Sequence, residues 1–184
     1  MKLLTPSRLI AVAAVAVAIA SLGVASARTG SGRGGGHRDD GRGGHVSKAC
    51  IAPKWKLERN KRNVVDYYET ALNDKNPRRA VRLYGGPRYI QHNPLADNGF
   101  DAFIAFFESF TSQFPDARID IRRVFAECDF VTTHGLLTGA TPVYTERGTK
   151  VVDIFRLNSR GKVVEHWDVL APISATSANG NPEV

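Results

Sequence analysis

Two kinds of hydrophobic spacing divide most of the chain into a helical half and a strand half. In the first half, apolar residues recur every three or four positions, which is the spacing of one buried helix face. The first predicted helix lies between Leu57 and Leu72. Its apolar face comprises Val64, Tyr68, Ala71 and Leu72.

Two further helices are predicted before the spacing changes. Asn76 and Pro77 indicate an N-cap followed by proline at the first helical position, and Gly85–Pro87 ends this short helix. A third helix is predicted to begin at Asn98 and to end before Pro115. Its apolar stripe comprises Phe100, Phe103, Ile104, Phe107, Phe110 and Phe114. This spacing favours a core-facing helix over a ligand-binding row of aromatic residues.

In the second half, apolar and polar residues alternate, which is typical of strands with one buried face. The alternation in Ile119–Ala126 changes phase, and this predicts a β-bulge near Arg122 and Arg123. Cys128–Asp129 and Asn158–Gly161 are predicted turns. The strands predicted after the first turn are Phe130–Thr138, Lys150–Leu157 and Val163–Leu170. Helices followed by an antiparallel meander predict an α+β domain with a ligand pocket between the layers.

The first 27 residues have the order of residue types found in a cleavable signal peptide. Lys2 and Arg8 precede the apolar run Leu9–Ala20, and Ala25–Ala27 has the small-x-small pattern of a cleavage site. The run is shorter than the roughly 20 residues that span a bilayer, although an uncleaved anchor is the alternative. We therefore predict a secreted or periplasmic protein with no stable membrane anchor after cleavage.

Composition divides the rest of the chain into three parts. Residues 28–54 are rich in glycine and arginine and predict a disordered tether, because they hold too little apolar surface to fold. His37 and His45 in this tether have no third ligand beside them, so no metal site is predicted. Residues 55–173 form the predicted domain, and residues 174–184 form a flexible C-terminal tail.

The formal net charge of +7 belongs mainly to the first fifty residues. Residues 1–27 hold two of these charges and residues 28–50 a net three, so the chain from Ile51 onward carries only +2. Without a basic recognition motif, this distribution predicts no nucleic-acid partner. Cys50 and Cys128 fit an exported protein with one disulfide, although Cys128 could instead be a semi-buried free thiol.

Polar residues that interrupt the apolar side of a predicted strand are the first candidates for chemistry. Asp153 stands on the same side of its strand as Val151 and Phe155. Burying a carboxylate is costly unless it is paired or protonated. Asp153 is therefore either an acid–base group or half of a structural ion pair, with an arginine such as Arg122 or Arg156.

Four further residues extend this candidate site. His166 and Asp168 share one face of the last predicted strand, where they could exchange protons with a substrate near neutral pH or form an exposed polar face. Trp167 takes the opposite face and is expected in a core or subunit contact. His92 ends a short extended piece that follows the glycines, and it is expected at the pocket mouth, with tying down the loop as the alternative. His134 is a further pocket candidate.

Three stretches of the chain, taken in order, carry motifs of a known family. They are Tyr89–Pro94, which reads Tyr-Ile-Gln-His-Asn-Pro, the end of the phenylalanine-rich helix at Phe114–Asp116, and the strand pair formed by Val152–Leu157 and Gly161–Asp168. Together they resemble the SnoaL-like family of the nuclear-transport-factor-2-like superfamily. The Gln-His-Asn-Pro element narrows the resemblance to a subgroup of the family that is usually labelled as predicted aldol-condensation enzymes. The resemblance runs from the first predicted helix to the last predicted strand.

The resemblance implies an α+β cone of the cystatin-like type, with a curved antiparallel sheet wrapped on three N-terminal helices around an apolar pocket. It also implies a homodimer through the sheet and acid–base catalysis without metal or cofactor. Matching motif positions imply that Asp168 and His166 handle the proton, with Asp153 and His92 lining the same pocket. The remaining substrate-binding candidates are Tyr68, Phe107 and His134.

The family's fold also carries isomerases, epoxide hydrolases, dehydratases and binding modules, so the fold alone does not determine the reaction. We expect an acid–base enzyme without cofactor that performs aldol-type cyclisation, isomerisation or hydrolysis on a small apolar carbonyl compound. The alternative is a non-catalytic module of the cell envelope that binds a small ligand or a partner. The family's leucine-rich C-terminal tail is replaced here by Ala171–Ser174 and a polar end.

Overall fold

The structure, a computed structural model, describes residues 50–140 and 146–184. The predicted signal peptide and the tether up to residue 49 lie outside the described residues. The elements are α1 (Lys54–Tyr68), a π-helical turn (Glu69–Asn73), α2 (Pro77–Tyr84), β1 (Gly85–Gln91), α3 (Phe100–Gln113), β2 (Arg118–Glu127), β3 (Phe130–Thr138), β4 (Thr149–Leu157) and β5 (Val163–Pro172). Among these residues, no helix is both long and apolar enough to cross a membrane.

The first helix buries the predicted apolar face and then widens into the π-helical turn. Val64, Tyr68, Ala71 and Leu72 are all buried. At the end of the turn, Asn73 holds the helix to the sheet, because its side chain both donates to the carbonyl of Ile119 and accepts from its N–H, each at 2.9 Å. The helical face and the first long strand are thereby fixed to each other.

The second helix begins as predicted and the third does not. The Asn76 side chain accepts a hydrogen bond from the N–H of Arg79 at 3.1 Å and so caps α2. The third helix begins at Phe100 rather than Asn98, after Gly99 with a φ of 95°. The Asn98 side chain instead accepts from the N–H of Gln91 at 2.8 Å, so it holds the end of β1.

The strands form one five-stranded sheet in the order β1-β5-β4-β3-β2. The pairs from β2 to β5 are antiparallel, and the register shift between Ile121 and Arg123 confirms the predicted bulge. The sheet is nevertheless mixed, because β1 pairs in parallel with β5. The glycine-rich segment Gly85–Pro87, predicted only to stop a helix, is the start of this additional strand.

One hydrophobic core lies between the helices and the inner face of the sheet. Its fully buried members include Val64 and Tyr67 from α1, Val131 from β3, Phe155 from β4 and Val163 from β5. Two residues of the predicted phenylalanine stripe, Phe103 and Phe114, are buried, and the other members of that stripe pack against the core partly buried. Core packing is therefore the main role of α3.

The C-terminal residues return to the sheet. Glu183 pairs with Lys150 of β4 and accepts a hydrogen bond from the N–H of Ser174 at 2.8 Å. The hydrogen bond from Lys150, followed by that from Ser174, lowers the pKa of Glu183 to about 2. The end of the predicted tail, residues 174–184, thus contacts β4.

A disulfide joins Cys50, which precedes α1, to Cys128 in the turn between β2 and β3. The two Cα atoms lie 5.7 Å apart, and the residues are 78 positions apart in the sequence. Closing so long a loop restricts the unfolded chain more than the folded one. The bridge therefore ties the start of the domain to the far end of the sheet.

We expect the double variant Cys50→Ser/Cys128→Ser to lose about 2–4 kcal/mol of unfolding free energy, because its unfolded chain regains the entropy of the open loop. Urea unfolding followed by circular dichroism measures this loss. As a control, the wild-type protein with reducing agent should unfold at the same lower urea concentration as the double variant. Equal midpoints for the oxidised wild type and the variant would contradict the expectation.

Candidate functional site

A buried carboxylate lies at the centre of the candidate site. Asp153 points from β4 into the core and is only 1 % exposed. Its Oδ1 accepts a hydrogen bond from the Tyr68 hydroxyl at 2.7 Å, and its Oδ2 accepts one from Thr133 at 3.0 Å. Residues from α1 and β3 therefore supply the hydrogen bonds that a buried carboxylate requires.

The third partner of this carboxylate is a histidine from the neighbouring strand. Nε2 of His166 lies 3.1 Å from Oδ1 of Asp153 and 3.3 Å from the Tyr68 hydroxyl. His166 is 4 % exposed, and its ring also lies against Phe155 with centroids 4.7 Å apart. Asp153 and His166 thus form a contact pair shielded from water.

A loop at the end of β1 contacts both His166 and Asp168. Oε1 of Gln91 lies 3.0 Å from Nδ1 of His166 and accepts hydrogen bonds from the backbone N–H groups of His92 and Asn93. The Asn93 side chain donates to Oδ2 of Asp168 at 2.7 Å. The parallel pairing of β1 with β5 places this loop beside the site, with Gln91 opposite His166.

Asp168 is the least buried member of the cluster. It lies directly opposite Asp153 in the register of β4 and β5, so both carboxylates occupy the same face of the sheet. Asp168 is partly exposed, whereas Asp153 and His166 are buried. A ligand that arrives from solvent can therefore reach Asp168 more readily than the buried pair.

Two buried tyrosines near the carboxylates remain protonated. Burial raises the pKa of Tyr68 well above its ordinary value, and the nearby Asp153 charge raises it further. Burial likewise raises the pKa of Tyr89, with Asp153 and then Asp168 as additional causes. Tyr68 therefore keeps its proton and acts as a hydrogen-bond donor to Asp153.

Aromatic rings from the helices and β1 pack against one another on the helix side of the candidate site. The ring of Phe103 stacks on Tyr67 with centroids 4.9 Å apart and contacts Phe107 at 4.6 Å. Tyr89 lies 5.7 Å from Phe103 in an edge-on arrangement. Phe107, predicted as a substrate-binding residue, is partly buried and packs against the core through Phe103.

His92 lies on the face opposite to the one predicted. Its ring stacks on Trp167 with centroids 4.5 Å apart, and its Nε2 lies 2.9 Å from Glu165. Although burial acts to raise the pKa of Glu165, hydrogen bonds from His92 and Arg156 lower it below its ordinary value. Because side chains alternate along an extended segment, the neighbours Gln91 and Asn93 face the site and His92 does not.

Two other predictions are corrected by the same strand geometry. His134 alternates with the buried Thr133 and therefore takes the outer face of β3, where its Nδ1 lies 3.2 Å from Arg123. Asp153 is paired with His166 rather than with an arginine. Arg122 pairs with Asp120 and Arg156 with Glu165, both away from Asp153.

The cluster has the residue types of a metal site, and hydrogen bonds already engage several of its ligand atoms. One ligand atom from each of Asp153, His166 and Asp168 lies within 4.8 Å of the others. Both oxygens of Asp153 already accept hydrogen bonds, and Nε2 of His166 faces one of them. A cation at this position would compete with these hydrogen bonds for the same ligand atoms.

Gln91, Asn93 and Thr133 contact the cluster but were not among the predicted site residues. Gln91 and Asn93 lie in the Gln-His-Asn-Pro element, where attention to the alternation of side chains would have selected them in place of His92. Thr133 alternates with His134 in the same way. The alternation of side chains between the two faces of each strand is therefore the signal that could have identified all three.

Comparison with known proteins identifies the family of the chain. Residues 64–166 match the family model described as a SnoaL-like domain. No functionally curated protein matches the chain.

Solved structures share the fold at low sequence identity. A protein from Jannaschia sp. CCS1, described as a SnoaL-like polyketide cyclase on similarity alone, is 21% identical to this chain. The two structures superpose with a TM-score of 0.54, over 66% of this chain and 91% of that one. TsrD from Streptomyces laurentii is 19% identical with a TM-score of 0.52, over 65% and 91%. At these identities the likeness establishes the fold alone. Since the family match covers more than half of the sequence, the chain belongs to the SnoaL-like domain family of the nuclear-transport-factor-2-like superfamily.

Proposed function

We propose that this chain is an acid–base enzyme without cofactor that acts on a small apolar carbonyl compound, with Asp168 as the carboxylate that moves the proton. The observation that carries the proposal is the difference in exposure within one cluster. Asp168 is partly exposed and lies opposite the buried Asp153, whose oxygens are engaged by Tyr68, Thr133 and His166. A set of neighbouring titratable groups that differ in burial in this way is typical of proton-transfer sites.

The proposed reaction begins with proton removal. The Asp168 carboxylate takes a proton from the carbon next to a carbonyl, and the electron pair of the C–H bond moves to the carbonyl oxygen to form an enolate. The enolate carbon then attacks a second carbonyl carbon, and the oxygen of that carbonyl receives the π electrons and takes the proton back from Asp168. Alternatively, where the enolate is conjugated with a C=C bond, Asp168 returns the proton to a different carbon. The first outcome is aldol-type cyclisation and the second is isomerisation. Asn93, which donates to Oδ2 of Asp168, holds the carboxylate in place throughout.

Hydrogen–deuterium exchange tests proton removal without knowledge of the natural substrate. Acetophenone and cyclohexanone are small apolar ketones whose protons next to the carbonyl exchange slowly with solvent at neutral pH. We expect the protein to accelerate their exchange in deuterated buffer, as followed by proton NMR. If a broad panel of such ketones shows no acceleration above buffer, the proposal fails for this substrate class.

The close packing of the interior favours a second candidate, a non-catalytic binding module. Asp153 and His166 are mutually paired, and the rings of Tyr68, Tyr89 and Phe155 pack around His166. A purely structural pair would have these contacts. Native mass spectrometry separates the candidates, because a binding module would retain a small apolar ligand through purification and would not accelerate ketone exchange.

We further propose that a second copy of the chain covers the outer face of the sheet. Phe125, Thr132, Ile154 and Trp167 are paired in register across four strands and form one row on this face. Phe125 is 61 % exposed. Large apolar side chains on an exposed sheet face are typical of an association surface, and two copies related by a two-fold axis would bury this row mutually.

If this proposal holds, the wild-type protein has the mass of a dimer in light scattering after size-exclusion chromatography. Phe125→Asp is expected to shift it to monomer, because two carboxylates would otherwise be buried in the interface. Leu95→Asp is the matched control, since Leu95 is 65 % exposed outside the sheet. A wild-type monomer, or a dimer unaffected by Phe125→Asp, would refute the proposed interface.

The location outside the cytoplasm also remains a proposal, supported by the sequence of residues 1–27. It predicts that the mature protein begins at Arg28, which N-terminal sequencing of the protein from its native cells would reveal. A protein that still begins at Met1 and is recovered in the cytoplasmic fraction would contradict this proposal.

A further inference from the structure

The orientation of one amide side chain in the site follows from its contacts. Oε1 of Gln91 lies 2.9 Å from the backbone nitrogen of His92 and 3.0 Å from that of Asn93. Backbone N–H groups can only donate hydrogen bonds, so the atom that they both face must be the amide oxygen and not the amide nitrogen. The amide of Gln91 therefore cannot be reversed without losing both contacts.

The same oxygen determines which nitrogen of the neighbouring histidine carries a hydrogen. Nδ1 of His166 lies 3.0 Å from Oε1 of Gln91. An amide oxygen can only accept, so Nδ1 must be the donor and must carry a proton. The tautomer of His166 thus follows from the backbone of the loop after β1.

The other ring nitrogen then faces an acceptor. Nε2 of His166 lies 3.1 Å from Oδ1 of Asp153. The single hydroxyl hydrogen of Tyr68 is directed at that oxygen, because its 2.7 Å contact is shorter than its 3.3 Å contact to Nε2. Without a further proton, two lone pairs would face each other in a buried site, which is costly. A proton therefore lies between Nε2 and Asp153.

We infer that Gln91 is a positioning residue that holds His166 with a proton on Nδ1, so that the buried Asp153–His166 pair carries one shared proton. The pair is then neutral overall, either as imidazolium with carboxylate or as imidazole with carboxylic acid. Tyr68 from α1 and Tyr89 from β1 also face this pair, and both are uncharged. Asp168 from β5 is then the group that carries the negative charge of the cluster.

For catalysis, the inference rests on the proposed function and deepens it. A neutral buried pair leaves the charge of the cluster on the one carboxylate that a ligand can reach. If Gln91 were absent, neutral His166 could place its proton on Nε2 and donate to an ionised Asp153. The buried pair would then carry a net negative charge beside Asp168, and the charge of the cluster would no longer lie on Asp168 alone.

NMR of protein labelled with ¹⁵N in histidine tests the inference on the intact mature chain. Long-range proton–nitrogen spectra distinguish Nδ1–H, Nε2–H and doubly protonated rings, and the His92→Gln and His134→Gln variants assist assignment of His166. We expect Nδ1 of His166 to be protonated in the wild type throughout the pH range where the protein is folded. A neutral ring with its proton on Nε2 alone would overturn the inference.

Two variants at the same position separate the role of the acceptor from that of the side-chain volume. Gln91→Leu removes the acceptor and is expected to move the proton of neutral His166 to Nε2. Gln91→Glu retains an acceptor and is expected to keep Nδ1 protonated. An unchanged Nδ1–H signal in Gln91→Leu, or its loss in Gln91→Glu, would refute the role of Gln91. If Gln91→Leu does not fold, the Nδ1–H signal of His166 in the wild type and in Gln91→Glu still tests the inference.

This readout needs no substrate, so it fails independently of the proposed function. Ketone exchange without an Nδ1 proton would leave acid–base catalysis standing and remove the role of Gln91. An Nδ1 proton without ketone exchange would establish the positioning of His166 and remove the proposed reaction.

Discussion

The Asp168→Asn variant is expected to lose about 10²–10⁴-fold in the rate of ketone proton exchange, the usual contribution of a positioned general base. Asparagine has nearly the same size as aspartate and can still contact Asn93, but its amide is not basic enough to take a proton from carbon. The loss should therefore appear in the exchange rate and not in the fold. Proton NMR in deuterated buffer measures the rate, and circular dichroism verifies that the variant is folded.

Asp120→Asn is the matched control for this variant. Asp120 lies on β2, where it pairs with Arg122 at the surface. It undergoes the same chemical change without contact to the cluster, so the exchange rate should stay at the wild-type value. Equal rates for Asp168→Asn and the wild type would remove Asp168 from the mechanism. Equal losses in both variants would point to a general effect of charge instead of a catalytic carboxylate.

The strand half of the fold was predictable because its pattern is local. The alternation along β3 predicted Phe130–Thr138, which are also its bounds in the structure. The change of phase before Val124 predicted the bulge at Arg122 and Arg123. Each of these features depends on neighbours within a few residues, which is the range over which period-two patterns are informative.

The position of β1 could not be predicted from such patterns. Its parallel partner β5 lies more than seventy residues further along the chain, and no local alternation records that pairing. Gly85–Pro87 also has the composition of a helix stop, which concealed the start of a strand. Since β1 carries the loop that contacts His166 and Asp168, the same omission removed Gln91 and Asn93 from the predicted site.

The candidate site was predictable where burial alone identifies a residue. Asp153 interrupts an apolar strand face, and the structure places it in the core beside His166. Its partner was predicted as an arginine or left open, because charge complementarity does not specify distance along the sheet. For His92, the sequence did not indicate which face of the sheet the side chain takes, because a residue just beyond the end of a strand is not part of an apolar–polar alternation.

The Asp153→Ala variant is expected to lose about 3–5 kcal/mol of unfolding free energy, the usual cost of removing one partner from a buried charged pair. The reason is that Tyr68, Thr133 and His166 would each lose an acceptor in the buried interior. Urea unfolding followed by tryptophan fluorescence measures the loss. Asp120→Ala removes an exposed ion pair and should cost at most about 1 kcal/mol.

A double-mutant cycle then shows whether the loss arises from unsatisfied partners or simply from the cavity. Thr133→Val keeps the volume of residue 133 and removes its hydroxyl, so in this background Asp153→Ala leaves one fewer donor without an acceptor. The two substitutions together should therefore cost less than the sum of their separate costs, with a coupling of roughly 0.5–3 kcal/mol. Strict additivity would mean that the Thr133–Asp153 hydrogen bond contributes nothing. The hydrogen bonds around Asp153 would then follow from the packing of the core instead of stabilising it.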